Sequence, residues 1–527
     1  MRRQAMTLLL LAAALAAPHV GWAQKYGGVL KAVNFVNPPS FSILEEPGSA
    51  TTYVMLPCYN NLVFYNPSHA VESGDDVIGE LAESWAWGDG GKRLTFKLRH
   101  GVKWHDGKPF TSADAKYTLD LVRGVAPHKL RVSPRQLWFQ NVAEVVTNGD
   151  YELSIVLKRP QPSLLSMLAS GFMPIYPAHV DPAELRARPV GTGPFRLKEY
   201  VQDQRVVLEK NPDYFVKGRP YLDGVEYHSI SSRVARQAAL QSGQMDAYST
   251  IEGSILFRDA LKAAVPGIVV QEVSESISDN IVLNSRKPPF DNLKLRQAVN
   301  YAMDRAGMIK SVLAGAGLPG GTLIPPPFGK WGLPKEQLSQ LPGYGDPAHD
   351  KALARKLLAE AGYGPGHPLK VTVSARATDV HVEAAVWVVG ELKAVGIEAE
   401  LEQVETVAWF ARMARRDFTF AVNQTGTGAE DPDAHLFENY TCGSNRNYSD
   451  YCNPEVDAMI LRQSQEADPA KRRALVWEID RKLQVEAARP ILAQRINSYM
   501  HWPYVKNLVA KNSIFNFSRM QDVWLDR

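Results

Sequence analysis

The sequence predicts an α/β protein of two or three domains, and three observations support that fold class. Residues 94–122 read LTFKLRHGVKWHDGKPFTSADAKYTLDLV, a strand, a turn-rich loop and a capped helix in succession. Residues 284–496 mix capped helices with short apolar strands, without the regular alternation of a barrel, as a self-contained α/β lobe would. About 504 residues follow position 23, too many for one hydrophobic core.

Each element has a local cause. Leu94, Phe96 and Leu98 alternate with Thr95, Lys97 and Arg99, the period of a strand with one buried face, and Gly101 ends it. Trp104, His105, Asp106, Gly107 and Pro109 form the loop; Thr111 and Asp114 have capping-box spacing, and Ala115, Leu119 and Val122 continue as a helical stripe. Asp291 precedes a helix with Leu295, Val299, Ala302 and Met303 on one face. Residues 349–361 carry Leu353, Leu357 and Leu358 before Gly362 stops them. Residues 369–373 and 397–404 read as short strands. Asn453 caps a helix that starts at Pro454, Asp468 and Pro469 repeat the device, and Pro490 ends the last helical element. The Pro-rich stretch 317–332 reads as a surface loop inside this region and not as a linker between domains.

Composition excludes several classes. With 45% hydrophobic and 22% charged residues the chain is ordinary globular material. The formal charge of +3 falls to about +1 without Arg2 and Arg3, which argues against a nucleic-acid partner. Arg2 and Arg3, the apolar run 8–17 and Gly21-Trp22-Ala23 predict a cleavable signal peptide over 1–23 and hence a periplasmic protein. No cysteine lies near the cleavage position, so a free protein is expected and not a lipid-anchored one. Of three cysteines, Cys442 and Cys452 flank a polar loop and are expected to pair; Cys58, among Leu56, Pro57 and Leu62, reads as a buried small hydrophobe.

As a literal string, residues 94–122 resemble the signature region of the family 5 extracytoplasmic solute-binding proteins, which carry dipeptides, oligopeptides and nickel complexes to ABC transporters. GELAESWAW at 79–87, VGTGPFRLKEY at 190–200, NPDYFVKGRPYLDGVEY at 211–227, LNSRKPPFDNLKLRQAVNYAMDR at 283–305 and YCNPEVDAMI at 451–460 are similar to further landmarks of that family, in the same order. The resemblance implies a two-lobed periplasmic binding protein fold of the peptide-binding type (class II, cluster C), with a hinge and an extra subdomain. Lobe I would comprise 24–59, 186–283 and 497–527, the subdomain 60–185, and lobe II 284–496, with crossings near 281–285 and 494–498.

Peptide-binding members of the family place an aspartate shortly before an Asp-Pro motif to pair with the peptide ammonium, and an earlier arginine to pair with the carboxylate. A zwitterion taken out of water needs an opposite charge at each end. By resemblance Arg376 stands where the arginine would be, or else is a solvated surface residue. The segment Thr425-Gly426-Thr427-Gly428-Ala429-Glu430-Asp431-Pro432-Asp433 keeps the Asp-Pro motif, but the ammonium partner's position falls near Gly428. That departure argues against ordinary di- or tripeptides unless Glu430 or Asp431 substitutes; Asp431 before Pro432 also fits a structural turn. Gly426 and Gly428, with Thr427 between them, read as a flexible or close-approach loop at the cleft, since GTG lacks the lysine and the flanking strand-helix context of a phosphate loop. Trp409 is placed either on the ligand or, with Phe410 and Met413, in the core.

Catalytic and metal motifs are missing: the sequence has no GxSxG, HExxH or CxxC, and His100 and His105 are separated by a turn. The expected function is a monomeric, cofactor-free and non-catalytic receptor. It would capture a small organic solute, peptide-like or carboxylated, and deliver it to an inner-membrane ABC permease. The cargoes left open are peptides, opines, aromatic acids and metal chelates. The competing classes are a secreted hydrolase and a sensor or holdase on the same fold.

Overall fold

A computed structural model describes residues 24–34, 37–248, 255–517 and 519–527; the expected signal peptide lies outside them. No helix among the described residues is long and apolar enough to cross a membrane.

Two long strands organise the molecule. Val269–Leu283 and Ile491–His501 run antiparallel to each other through the middle of an 11-stranded sheet. On one side, His501 and Met500 pair with Ala247–Tyr248, and beyond it lie Val29–Asn34, Gly224–Ser229, Arg205–Lys210 and Phe195–Val201. On the other side, residues 277–283 pair with Phe420–Gly426, followed by Lys370–Arg376 and Glu398–Val404. The register between the two long strands breaks between Ser274 and Ser278, opposite Gln494–Ile496, so the ladder is interrupted part-way along.

The second half is a doubly wound unit. Strand Lys370–Arg376, helix Asp379–Ala394, strand Glu398–Val404, helix Thr406–Ala414 and strand Phe420–Gly426 follow in order, with the three strands parallel. Its core joins Ile281, Leu295, Val373, Val388, Leu392 and Phe420, all buried. Asn453 and Asp468 cap as the sequence predicts, each accepting from first-turn amides with Pro at the first helical position. The helix expected from 349 starts earlier, at Pro347, with Asp346 as its cap. One start moves by a residue. Asn292 and not Asp291 caps Leu293–Ala302, accepting from Lys294 N at 2.9 Å, and Met303 has already left the helix while staying buried.

Residues 82–157 form a separate antiparallel sheet, ordered Ala82–Gly88, Arg93–Leu98, Glu152–Leu157, Val142–Thr147. Leu94, Phe96 and Leu98 face its core, and Thr111 and Asp114 close the capping box of Ser112–Arg123. The recurring landmarks of the sequence meet here. His105 donates its amide to Gly191 O at 2.8 Å, and its ring bridges the Gly191 amide and the Gly193 carbonyl. Burial lowers the His105 pKa to about 4, so the neutral ring does this bonding. A Cβ at Gly191 or Gly193 would lie within 2.4 Å of the backbone at Pro57 and Cys58, which requires glycine at both. Cys442 and Cys452 are bridged, and Cys58 is free and buried.

Candidate functional site

Ligand sites in open α/β sheets form beyond the carboxyl ends of parallel strands. The loop 427–431 leaves the carboxyl end of Phe420–Gly426 at that place, and it borders a cavity that opens in part to solvent. Ser276 and Ser278 from one long strand, Gln494 from the other, and Asn512 contribute to the wall. The loop 322–331 supplies much of the remainder, with Phe328, Lys330 and Trp331.

The loop 427–431 is fixed from both halves. Thr427 N donates to Ser276 O at 3.1 Å, Ser513 Oγ to Thr427 O at 3.2 Å, and Asn516 Nδ2 to Gly428 O at 2.9 Å. Glu430 N lies 3.1 Å from Tyr65 Oη. Gly428 passes so close to Phe172 that a Cβ there would sit 2.5 Å from the ring. Helix Pro432–Asn439 follows, buried at every residue: Ser163 Oγ donates to Asp433 at 2.6 Å and Trp138 Nε1 to Ala434 O at 3.3 Å.

Thr427, Glu430 and Asp431 line the cavity. Asp431 is committed elsewhere. Arg472 grips it through both terminal nitrogens, at 2.8 and 2.6 Å, and reaches Asp433 at 3.3 Å. Burial pulls the Arg472 pKa down, but Asp431 and then Asp433 outweigh it and raise the group above its ordinary range. Asp431 also caps the helix, accepting from Asp433 N. Glu430 is the acid free of such a grip. Burial, then the neighbouring charge of Asp431, push its pKa up to about 8, with Lys330 pulling the other way.

Gly428 holds the loop against Phe172 and is not part of the cavity wall. Two other expectations are corrected. Trp409 is 0% exposed, packed against Val282, Met413, Phe418, Ala421 and Tyr448, because its helix turns that face into a small core. Arg376 is neither a cavity residue nor a solvated one. Its guanidinium lies 5.3 Å from the Phe410 ring centre and 5.9 Å from that of Trp409, and it donates to His381 Nε2.

Sequence reasoning missed the loop 322–331, whose Pro and Gly content resembles a solvent loop. Gly329 and Gly332 carried the usable signal: a Cβ at either would lie within 2.4 Å of Ile324 O, which marks a tightly folded segment. Trp477 Nε1 pins it by donating to the Trp331 and Gly332 carbonyls at 3.1 and 3.0 Å. His435, on the buried helix, and Arg489, behind Thr425, were also missed.

The model of the bacterial extracellular solute-binding proteins, family 5 middle region, matches residues 76–447. The chain belongs to this family. Among its relatives is a putative ABC transporter peptide-binding protein of Brucella ovis, 31% identical over 334 residues, which cover 62% of this chain. The match spans 58% of that protein's length. A probable deoxycholate-binding periplasmic protein of Escherichia coli is 26% identical over 91% of this chain and 90% of its own. The oligopeptide-binding protein AppA of Bacillus subtilis, solved with a nonapeptide, superposes with a TM-score of 0.83 at 25% identity, covering 96% of this chain and all of that one. Family membership and this superposition establish the two-lobed binding-protein fold.

Proposed function

We propose that this protein is the periplasmic substrate-binding component of an ABC importer, exported through the segment 1–23. It takes up a small carboxylated or peptide-like solute and catalyses no reaction. Lobe I comprises 24–59, 186–283 and 497–527 with the subdomain 60–185, and lobe II is 284–496. The observation that carries this reading is the cavity, whose wall draws Asn512 and Ser276 from the lobe I segments and Thr322, Phe328, Trp331, Thr425, Thr427 and Glu430 from the lobe II segment. A solute touching both halves favours the closed arrangement over the open one, as capture and presentation to a permease require. The peptides and the bile acid named for the relatives share a carboxylate.

The test is mass spectrometry of protein purified without unfolding, followed by thermal-shift titration of the compound found and of related acids. A co-purified solute that raises the midpoint with concentration supports the proposal. Conversion of that solute into product on prolonged incubation refutes it.

Glu430 is the group proposed to meet an ammonium or other cationic end of the solute. Its carboxyl is neutral below about pH 8 in the free protein. A cation binds the ionised form, so binding expels the proton, and affinity should climb as pH rises from 6 to 8 by up to about tenfold per unit. Glu430→Gln should flatten that slope, and a slope that persists in the variant removes Glu430 from the site.

A further inference from the structure

Behind the cavity wall lies a cation with no anion. Arg489 is 2% exposed and has no carboxylate partner among the described residues. One terminal nitrogen donates to Thr425 Oγ1 at 3.2 Å and to Asn439 Oδ1 at 2.9 Å, while Nε and the second terminal nitrogen have no partner. The Tyr440 ring, 5.5 Å from its guanidinium carbon, offsets part of the burial, but it brings no carboxylate. Arg446 and Arg416 both act on Arg489 as like charges, and Glu438, the carboxylate beside them, is taken by Arg446 at 2.9 Å and Arg135 at 3.5 Å. An uncompensated buried guanidinium is costly, so the protein holds it against a gradient that a bound anion would remove.

His435 supplies the second half of the argument. It lines the cavity, is 4% exposed, and its Nε2 has no partner. Asn439 Nδ2 approaches Nδ1 at 3.5 Å, which makes Nδ1 the acceptor and leaves the proton on Nε2 as an unused donor. Burial and then Arg489 lower its pKa to about 3, so the ring is a neutral donor at every physiological pH. Thr425, also in the wall, accepts from Arg489 and keeps its own hydroxyl proton to give.

We propose that His435, Thr425 and Arg489 form an anion-binding floor of the cavity, which receives the carboxylate of the solute. The proposal rests on the solute-binding reading above and names the end of the cavity opposite in charge to Glu430. Arg489 supplies the charge, and His435 and Thr425 the directed hydrogen bonds.

The test compares wild type, Arg489→Met and His435→Phe by calorimetric titration with dipeptides, deoxycholate and succinate, and with the C-terminal or side-chain amides of the same compounds. Arg489→Met should lose at least about thirtyfold in affinity for any acid that wild type binds, and His435→Phe about tenfold. Amides should bind wild type weakly and the variants no worse. The ligand-free Arg489→Met protein should melt no lower than wild type, because it loses an uncompensated charge; a purely structural arginine would lower the midpoint. Equal affinity of wild type and both variants for an acid, or equal affinity of wild type for acid and amide, overturns the floor while solute binding stands. If Arg489→Met fails to fold, it has a structural role and the charge assignment falls. Wild type that binds none of the acids refutes the reading of the cargo itself, and the floor with it.

Discussion

Replacing Arg472 by Met should remove about 3–5 kcal/mol of stability, the cost of leaving buried charge without its partner. The guanidinium is 5% exposed and faces two carboxylates, Asp431 and Asp433, at 2.6 and 3.3 Å. Its Nε donates to Gln463 at 3.1 Å, and its plane lies 4.9 Å from the Trp331 ring centre. Removal therefore strips the counter-charge from the Asp-Pro turn and the support from a cavity-lining tryptophan at once. Asp433 retains hydrogen bonds from Ser163 and Ser464, at 2.6 and 2.5 Å, so the larger penalty falls on Asp431. Urea denaturation measures the loss, and Asp431→Asn in the same chain should return part of it. An unfolding free energy within about 0.5 kcal/mol of wild type, the range of ordinary surface substitutions, would mean that the ion pair is not what holds the turn.

The second large effect is on closure. Gly428→Ala should weaken solute binding by about 5- to 150-fold, the equivalent of 1–3 kcal/mol of overpacking. The added methyl would meet Phe172 at 2.5 Å, and that ring has nowhere to go. The Arg135 guanidinium stacks 3.3 Å from its centre and Phe515 lies 4.8 Å away on centroids. In the proposed lobe assignment this contact joins the two halves, so the cost falls on the closed state and the ligand-free melting temperature should move little. Phe172→Leu in the Gly428→Ala background should recover affinity. Unchanged affinity in the single variant would show that this approach plays no part in capture.

The sequence made local structure legible where chemistry is local. Capping residues, the alternation of Leu94, Phe96 and Leu98, and the Cys442–Cys452 loop each act over a few residues, and each appears in the structure. Asn292 displaced Asp291 as a cap because either side chain suits that role and tertiary packing decides between them. The cavity was harder to read. Thr427, Glu430 and Asp431 were within reach because they follow a strand end beside a recognisable turn. Arg376 was misplaced because strand position fixes where a side chain begins and not which neighbours draw it in; His381 and the Phe410 ring did so here. Trp409 failed for a related reason, since helical spacing cannot say which of two apolar faces meets a lobe's core. Arg489 and His435 lie 54 positions apart, and nothing near either in the sequence signals that they share one buried space.

The central claim is that two halves joined at the crossing strands close over a solute. Solution X-ray scattering on protein stripped of co-purified solute, and again after its return, tests it most directly. The account predicts a smaller radius of gyration with solute present and a stripped protein more extended than the closed structure. One unchanging scattering profile, recorded while calorimetry shows the solute fully bound, would contradict it.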